Sequence, residues 1–231
     1  MIESYTLNIM MDPQTIIALR SAGYSLYGFK AVQSASSGGV PTVWFRDDQY
    51  MQSTDIVWQG DYRAYSSQTQ VVPNAVVTPT VSLDIRLGQM LVCDANGNAK
   101  VKAGVSQNNI SLLNQAPQQI TTGISEEVNG QISPICTFPL FGNMLDTVAP
   151  IEKVLLMFST EQLDTSTIVE RSTSAGLLVD LAGTTSRSVN FDINTGWSAG
   201  GASWAQNLPA FTDIAPILIE PTGAFQVAAN S

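Results

Sequence analysis

The sequence predicts an all-β protein, a predominantly antiparallel β-sandwich of two packed sheets with one or two short helices. Short apolar runs that alternate with polar residues recur along the chain, and this period of two is that of strands with one buried face. Glycine, proline and asparagine separate the runs and are typical of turns. A succession of short strands without helical periods between them favours antiparallel sheets packed face to face.

We expect the chain of 231 residues to form a single all-β domain, 1–231, because sandwiches of this length commonly fold as one unit. Pro117 and Pro150 mark a weak subdivision near 117–150, but neither belongs to a convincing linker.

The first third of the chain predicts several strands and one helix. Alternation indicates a strand at 5–9, and Asp12 with Pro13 then begins a helix, since Asp is a strong N-cap and Pro suits the first turn. Further strands are predicted at 24–33, from 43, at 55–65 and at 81–87. Pro73 and Pro79 place the segment 71–81 at a sheet edge, because proline cannot donate a ladder hydrogen bond.

The middle of the chain contains the clearest hairpin. Asn96-Gly97 lies between alternating runs at 89–93 and 99–103, which is the strongest short-range hairpin pattern. Strands are also predicted at 110–112, 120–124 and 131–138. The broken apolar segment 140–145 is predicted to be a buried crossing loop.

The last third of the chain also predicts several strands. The uncharged apolar run 154–158 predicts a strand covered on both faces. Segments 177–181 and 189–193 alternate, so each is expected to bury one face, and the intervening residues 183–186 are predicted to form a hairpin loop. Residues 196–201 are expected to be a glycine-rich loop, and 214–219 a final strand interrupted by Pro216.

Charge and composition narrow the choice of partners. The formal net charge is −9 and only 13% of residues are charged, so the surface repels phosphate backbones and we expect no nucleic-acid partner. Neutral polar residues then cover most of the exterior, which suits self-association, and we expect a homo-oligomer.

The N-terminus lacks a basic region followed by an apolar stretch, so we expect synthesis without a signal peptide and a soluble protein, either cytoplasmic or released by a non-classical route. Cys93 and Cys136 are then predicted to be buried free thiols, although a disulfide between them is the alternative in an oxidising compartment.

The chain contains no histidine, which excludes Ser-His-Asp and Cys-His catalysis and the usual zinc sites. We predict no catalytic residue, no metal and no cofactor. A glycosidase that uses only carboxylates is the alternative, with Asp47, Asp48, Asp55, Asp61 and the pair Glu126-Glu127 as available acids; we expect these acids to be solvated. The oxygen-rich run 94–98 resembles a calcium loop only faintly, and a tight turn explains it better.

Aromatic residues supply the candidate binding site. The alternation around Trp44 and Trp58 predicts core positions. Trp197 and Trp204 lie in a segment rich in glycine and serine, where an indole can contact a ligand or a partner. We therefore predict Trp197 and Trp204 as ligand-binding residues.

Three functions remain open. The leading hypothesis is a non-catalytic binding or assembly protein that self-associates. The second is a pore-forming toxin subunit, because residues 159–193 are rich in Ser and Thr and could supply an amphipathic hairpin. The third is a carbohydrate-binding, lectin-like module, and the partner of the second and third would be a lipid surface or a glycan.

Overall fold

A computed structural model describes residues 3–222, which form two curled sheets packed together with 55% strand and 6% helix. The prediction of an all-β sandwich is therefore confirmed. The helices are α1 (Pro13–Ser21) and α2 (Ala215–Leu218). The strands are β1 (Ser4–Met10), β2 (Ser25–Ser34), β3 (Val40–Pro41), β4 (Phe45–Asp47), β5 (Ser53–Ser67), β6 (Pro79–Ile85), β7 (Gln89–Cys93), β8 (Ala99–Ala103), β9 (Ile110–Asn114), β10 (Ile120–Val128), β11 (Gln131–Leu140), β12 (Leu145–Ser159), β13 (Gly176–Asp180), β14 (Ser186–Asp192), β15 (Gly196–Ser198), β16 (Ala205–Leu208) and β17 (Ile219–Pro221).

The eight-stranded sheet has the order β15-β14-β1-β5-β10-β11-β3, with β6 also paired to β5. The nine-stranded sheet has the order β16-β13-β12-β9-β7-β8, and β2 pairs with β12, β17 and β4. Most pairs are antiparallel, whereas β1 with β14, β7 with β9, and β2 with β17 are parallel. Each sheet takes strands from both sides of 117–150, and the single-domain assignment stays a prediction.

Helix α1 begins where the sequence predicts. The Asp12 carboxylate accepts hydrogen bonds from the backbone N–H of Gln14 at 2.7 Å and of Thr15 at 3.0 Å, so it caps the first turn. The hydroxyl and N–H of Thr15 that donate to this carboxylate lower the pKa of Asp12. Gly23, with a φ of 74°, then turns the chain into β2.

The Asn96-Gly97 hairpin is also confirmed, with β7 and β8 as its antiparallel arms. The Asp94 carboxylate accepts hydrogen bonds from the backbone N–H of Asn96 at 2.9 Å and of Asn98 at 3.0 Å, and Gly97 has a φ of 79°. The Asp94 carboxylate is therefore engaged by hydrogen bonds within the turn itself. Among residues 3–222, no group of three or more acidic or cysteine side chains is placed to hold a metal ion.

The predicted hairpin at 183–186 is wrong. Strand β13 pairs with β12 and β16 in the nine-stranded sheet, whereas β14 pairs with β1 and β15 in the eight-stranded sheet. The loop therefore crosses from one sheet to the other. Alternation identifies a strand but carries no information about which neighbouring strand will form hydrogen bonds with its backbone. Tertiary packing decides that pairing.

Three local predictions also need correction. Within the segment 140–145, residues 141–144 form an exposed turn between β11 and β12 and not a buried loop, since Phe141 is 61% exposed. The segment 214–219 forms the single turn α2 before β17, because Pro216 suits the start of a helix and not a strand centre. The segment 196–201 begins with β15, whose Trp197 lies opposite Phe191.

Strand β12 is covered on both faces, as the sequence predicts for 154–158. Val154, Leu156 and Phe158 pack in the core between the sheets, whereas Leu155 and Met157 pack in a second apolar cluster on the other face. Other members of this outer cluster are Leu163, Val169, Ile214 and Leu218. The segments before β13 and after β16 therefore form a cover over the nine-stranded sheet.

The sequence predicts one solvent-exposed face for β13, but the structure buries both faces of this strand. Leu177 and Val179 face the inner core, and Leu178, only 9% exposed, faces the outer cluster. The outer cover buries the face that alternation assigns to solvent.

We expect the substitution Gly28→Ala to destabilise the protein by about 1–3 kcal/mol, the usual range for an overpacked core. A Cβ atom at Gly28 would lie 1.9 Å from a ring carbon of Phe45, and Phe45 is itself buried opposite Gly28 in the β2–β4 pair. Urea denaturation followed by tryptophan fluorescence measures the change. In a double-mutant cycle with Phe45→Ala, the combined loss should be smaller than the sum of the single losses; strict additivity would contradict the proposed contact.

Candidate ligand-binding site and a buried charge cluster

A hollow of about 500 Å³ lies beside Trp197, within the size range of sites for small molecules. Its aromatic walls come from Tyr24, Phe158, Phe191 and Trp197. Polar groups from three further segments complete the lining: Ser174, Thr195 and Asn207. The hollow therefore has an apolar floor with a few polar groups around it, the usual composition of a ligand pocket.

Trp197 forms part of this floor and does not stand free. It is 6% exposed, Phe158 stacks on it with ring centroids 5.4 Å apart, and Phe191 contacts it edge-on at 4.8 Å. The indole N–H is buried and finds no hydrogen-bond partner within residues 3–222. The structure thus places Trp197 at a pocket, in a β-strand and packed against two rings, and its role in ligand binding stays a prediction.

Trp204 lies elsewhere, outside the lining of the hollow. Its ring is partly buried against the inner core, and the Arg187 guanidinium sits 4.6 Å from the ring centroid. The ring of Trp204, which the sequence predicts to contact a ligand, therefore already makes a cation–π contact within the protein. The structure does not bring the two predicted binding residues into one site.

Trp44 and Trp58 are core residues, as expected, with 0% and 1% exposure. They contact each other edge-on with centroids 5.6 Å apart. Both rings also border a group of charges that sequence reasoning missed.

This buried charge cluster consists of Lys30 on β2, Glu126 on β10 and Glu152 on β12. The Nζ atom of Lys30 lies 2.5 Å from Oε2 of Glu152 and 3.4 Å from Oε2 of Glu126. The side chains of Lys30 and Glu126 are 0% exposed and that of Glu152 is 19% exposed. The ammonium also lies 4.7 Å from the centroid of Trp58, whose indole N–H donates to Glu152.

One cation shared by two carboxylates leaves one carboxylate short of a counter-charge. Burial raises the pKa of Glu126 to about 7, against the opposing effect of Lys30, and the negative charge of Glu152 raises it further. Burial, reinforced by Glu126, also raises the pKa of Tyr62. Both Glu126 oxygens lack a hydrogen-bond partner within residues 3–222. We infer that Lys30 and Glu152 form the ion pair, and that Glu126 holds a proton below about pH 7.

The expectation of solvated acids is wrong for Glu126. Strand β10 is paired on both sides, with β5 and β11, so its inward positions are buried whatever residue they carry. Glu127 points the other way and lines an open cleft, as the strand geometry of adjacent residues requires. The sequence did contain a sign of the buried charge cluster. In the alternation of β2, Lys30 falls on the same strand face as Leu26 and Val32, which pack in the inner core.

Of the remaining acids of the glycosidase alternative, Asp61 and Glu127 line one cleft. Asp48 is bonded to Arg46 at 2.9 Å, and Asp61 lines the cleft of about 850 Å³ in which Arg63 binds Asp84 at 2.8 Å. Glu126 has no exposed surface, so a substrate cannot reach it in this conformation.

Both cysteines are free and buried, in agreement with the favoured prediction. Burial raises the pKa of each thiol, so neither is an activated nucleophile.

No protein-family model, curated protein or solved structure matches this chain. Across residues 3–222, no helix combines the length and apolar character needed to cross a membrane. The functional proposals therefore rest on the geometry of the hollow and of the exposed surface.

The pKa of Glu126 predicts a pH-dependent stability. Because the folded-state pKa lies above the ordinary value of 4.5, the folded protein binds this proton more tightly than the unfolded chain. The free energy of unfolding should therefore fall as the pH rises between about 4.5 and 7, by a quantity on the order of 3 kcal/mol. Urea denaturation at a series of pH values measures this slope.

The variant Glu126→Gln should lose this slope and should be at least as stable as the parent at pH 8. Glu127→Gln, at the neighbouring and partly exposed position, is the matched control and should keep the slope. Identical pH profiles for the parent and Glu126→Gln would contradict the assignment of the proton.

Proposed function

We propose that this protein is a non-catalytic binding protein whose ligand occupies the hollow at Trp197. The observation that carries the proposal is the hollow itself, an aromatic-floored cavity of about 500 Å³ whose shape is supported by rings of β12, β14 and β15. A pre-formed apolar cavity with a few polar groups supports ligand binding without any chemistry.

The lining favours a small ligand with an apolar body. Phe158 and Trp197 at 3% and 6% exposure form a rigid floor, so binding there mainly removes apolar surface from water. Ser174, Thr195 and Asn207 can each exchange a hydrogen bond with a polar group of the ligand. The net charge of −9 disfavours an anionic ligand.

Sugar stacking on the two predicted tryptophans has less support. A sugar needs an open ring face, whereas Phe158 and Phe191 pack against Trp197 and Arg187 packs against Trp204. The lectin-like alternative therefore needs a different aromatic residue.

Self-association is the second part of the proposal, and an apolar turn supports it. Phe141, Met144 and Leu145 are 61%, 53% and 40% exposed in the turn between β11 and β12. Apolar side chains grouped at one exposed turn are typical of a contact surface, and we propose a second copy of this chain as the partner.

The pore-forming alternative has less support from residues 159–193. The membrane hairpin would need two amphipathic strands that leave one sheet together. Here β13 and β14 belong to different sheets, and β13 is buried on both faces. This alternative stays a prediction, tested by dye release from liposomes.

Filling the hollow should weaken ligand binding. Ala175 lines the hollow and is exposed, so Ala175→Trp can occupy the cavity without removing a core residue. We expect the neutral probe N-phenyl-1-naphthylamine to bind the parent with increased dye fluorescence, and Ala175→Trp to weaken its binding about tenfold, equivalent to about 1.4 kcal/mol. Fluorescence titration measures both affinities.

Ala175→Ser is the matched control and should bind the probe like the parent. Absence of probe binding to the parent, or equal affinity in the Ala175→Trp variant, would exclude the hollow as the site.

The apolar turn should determine the oligomeric state. We expect the parent to form dimers or larger species with increasing concentration, and the double variant Phe141→Ser/Met144→Ser to shift towards monomer because the exposed apolar surface is removed. Size-exclusion chromatography with light scattering measures this. A parent that remains monomeric at high concentration would contradict the self-association proposal. Ile17 is an exposed apolar residue of α1, so the variant Ile17→Ser controls for a general loss of surface hydrophobicity.

A further inference from the structure

Phe211 is the most exposed of the large apolar side chains in the described part of the chain, at 68%. It also has a φ of 62°, in the left-handed region that favours glycine and asparagine and is unfavourable for a bulky residue. A ring that is mostly in water gains little from packing, so the side chain itself does not compensate for this strained conformation. Strained residues that bring the fold no packing gain are enriched at functional sites.

The backbone on both sides of Phe211 is held firmly. Its N–H donates to the carbonyl of Ser172 at 3.0 Å, and the next N–H, of Thr212, donates to the Ser172 hydroxyl at 3.0 Å. Ser172 returns a bond from its own N–H to the Thr212 carbonyl at 2.8 Å. The ring is therefore presented in a fixed position, which lowers the ordering entropy lost on binding.

Phe211 borders a groove of about 450 Å³ that has a mixed lining, in which Pro73, Leu163 and Val169 supply further apolar surface beside several polar residues. Asn74, Glu161, Glu170 and Arg171 line it, and all four are exposed. Within residues 3–222 their side chains make no ion pair. The groove thus combines one aromatic face with an amide, a guanidinium and two carboxylates that are open to a ligand.

This combination matches a sugar better than an apolar partner. One face of a pyranose ring carries C–H groups that pack on an aromatic ring, and its edge carries hydroxyls that both donate and accept hydrogen bonds. Carboxylates accept from such hydroxyls, and Arg171 and Asn74 donate to them. An apolar protein or lipid surface would instead bury Glu170 and Arg171 without partners, which is unfavourable.

We propose that the groove at Phe211 is a binding site for a neutral oligosaccharide, with the Phe211 ring as the stacking platform. The net charge of −9 disfavours acidic sugars. This site is separate from the hollow at Trp197, and it supplies the open ring face that Trp197 and Trp204 lack.

The test screens the fluorescently labelled protein on an array of neutral glycans that end in glucose, galactose, mannose or their N-acetylamino forms. The soluble form of the strongest glycan is then titrated by calorimetry against the parent, Phe211→Trp and Phe211→Asn. We expect binding by the parent, retention within about threefold in Phe211→Trp, and at least a tenfold loss in Phe211→Asn.

Thermal unfolding distinguishes a binding role of the ring from a structural one. Asparagine tolerates a positive φ, so Phe211→Asn should melt at the same temperature as the parent or at a higher one while it loses glycan binding. A melting temperature clearly below that of the parent would show that the ring stabilises the fold, and would overturn the argument from strain.

Further outcomes count against the proposal. Absence of binding to every neutral glycan, or equal affinity in Phe211→Asn, would overturn it, as would Phe211-dependent binding to phosphatidylcholine vesicles in place of glycans. The hollow-filling variant Ala175→Trp should bind glycan like the parent, so failure of the proposal at Trp197 and failure of the proposal at Phe211 are distinguishable.

Discussion

The fold depends on the burial of β12 on both faces. This strand pairs with β2, β9 and β13, and its residues from Val154 to Met157 have no exposed surface. One face of the strand is covered by the eight-stranded sheet. The other would expose Leu155 and Met157 unless further chain covered it, so the segments before β13 and after β16 pack there. The second layer is thus a consequence of an apolar strand at the centre of the nine-stranded sheet.

Both candidate sites lie where this cover meets the sandwich. The cover brings Ser172 and Phe211 together and anchors the loop that presents the ring. At the other site, Leu208 and Pro209 at the end of β16 join Phe158 of β12 in the walls of the hollow. The same burial that stabilises the central strand therefore positions the groups that can meet a ligand.

The charge cluster interrupts the apolar core between the two sheets. A buried ammonium is tolerated only when it is paired, and Lys30 has a carboxylate at 2.5 Å and two indole rings around it. Its partners come from both sheets, so the cluster favours one alignment of β2 against β10. A second carboxylate at the same cation exceeds what the pairing requires. Burial raises the pKa of Glu126, and the negative charge of Glu152 raises it further.

The sequence by itself determined the type and the approximate position of most strands, because side-chain alternation, the Asp12 cap and the Asn96-Gly97 turn act over a few neighbouring residues. It also determined which histidine-based chemistries are absent. Only the tertiary structure decided that the loop at 183–186 crosses between sheets and that Leu178 and Glu126 are buried. It also decided that Arg187 makes a cation–π contact with Trp204. Each of these outcomes depends on a partner distant in the chain, and a local pattern specifies which face of a strand is apolar without specifying what will cover the other.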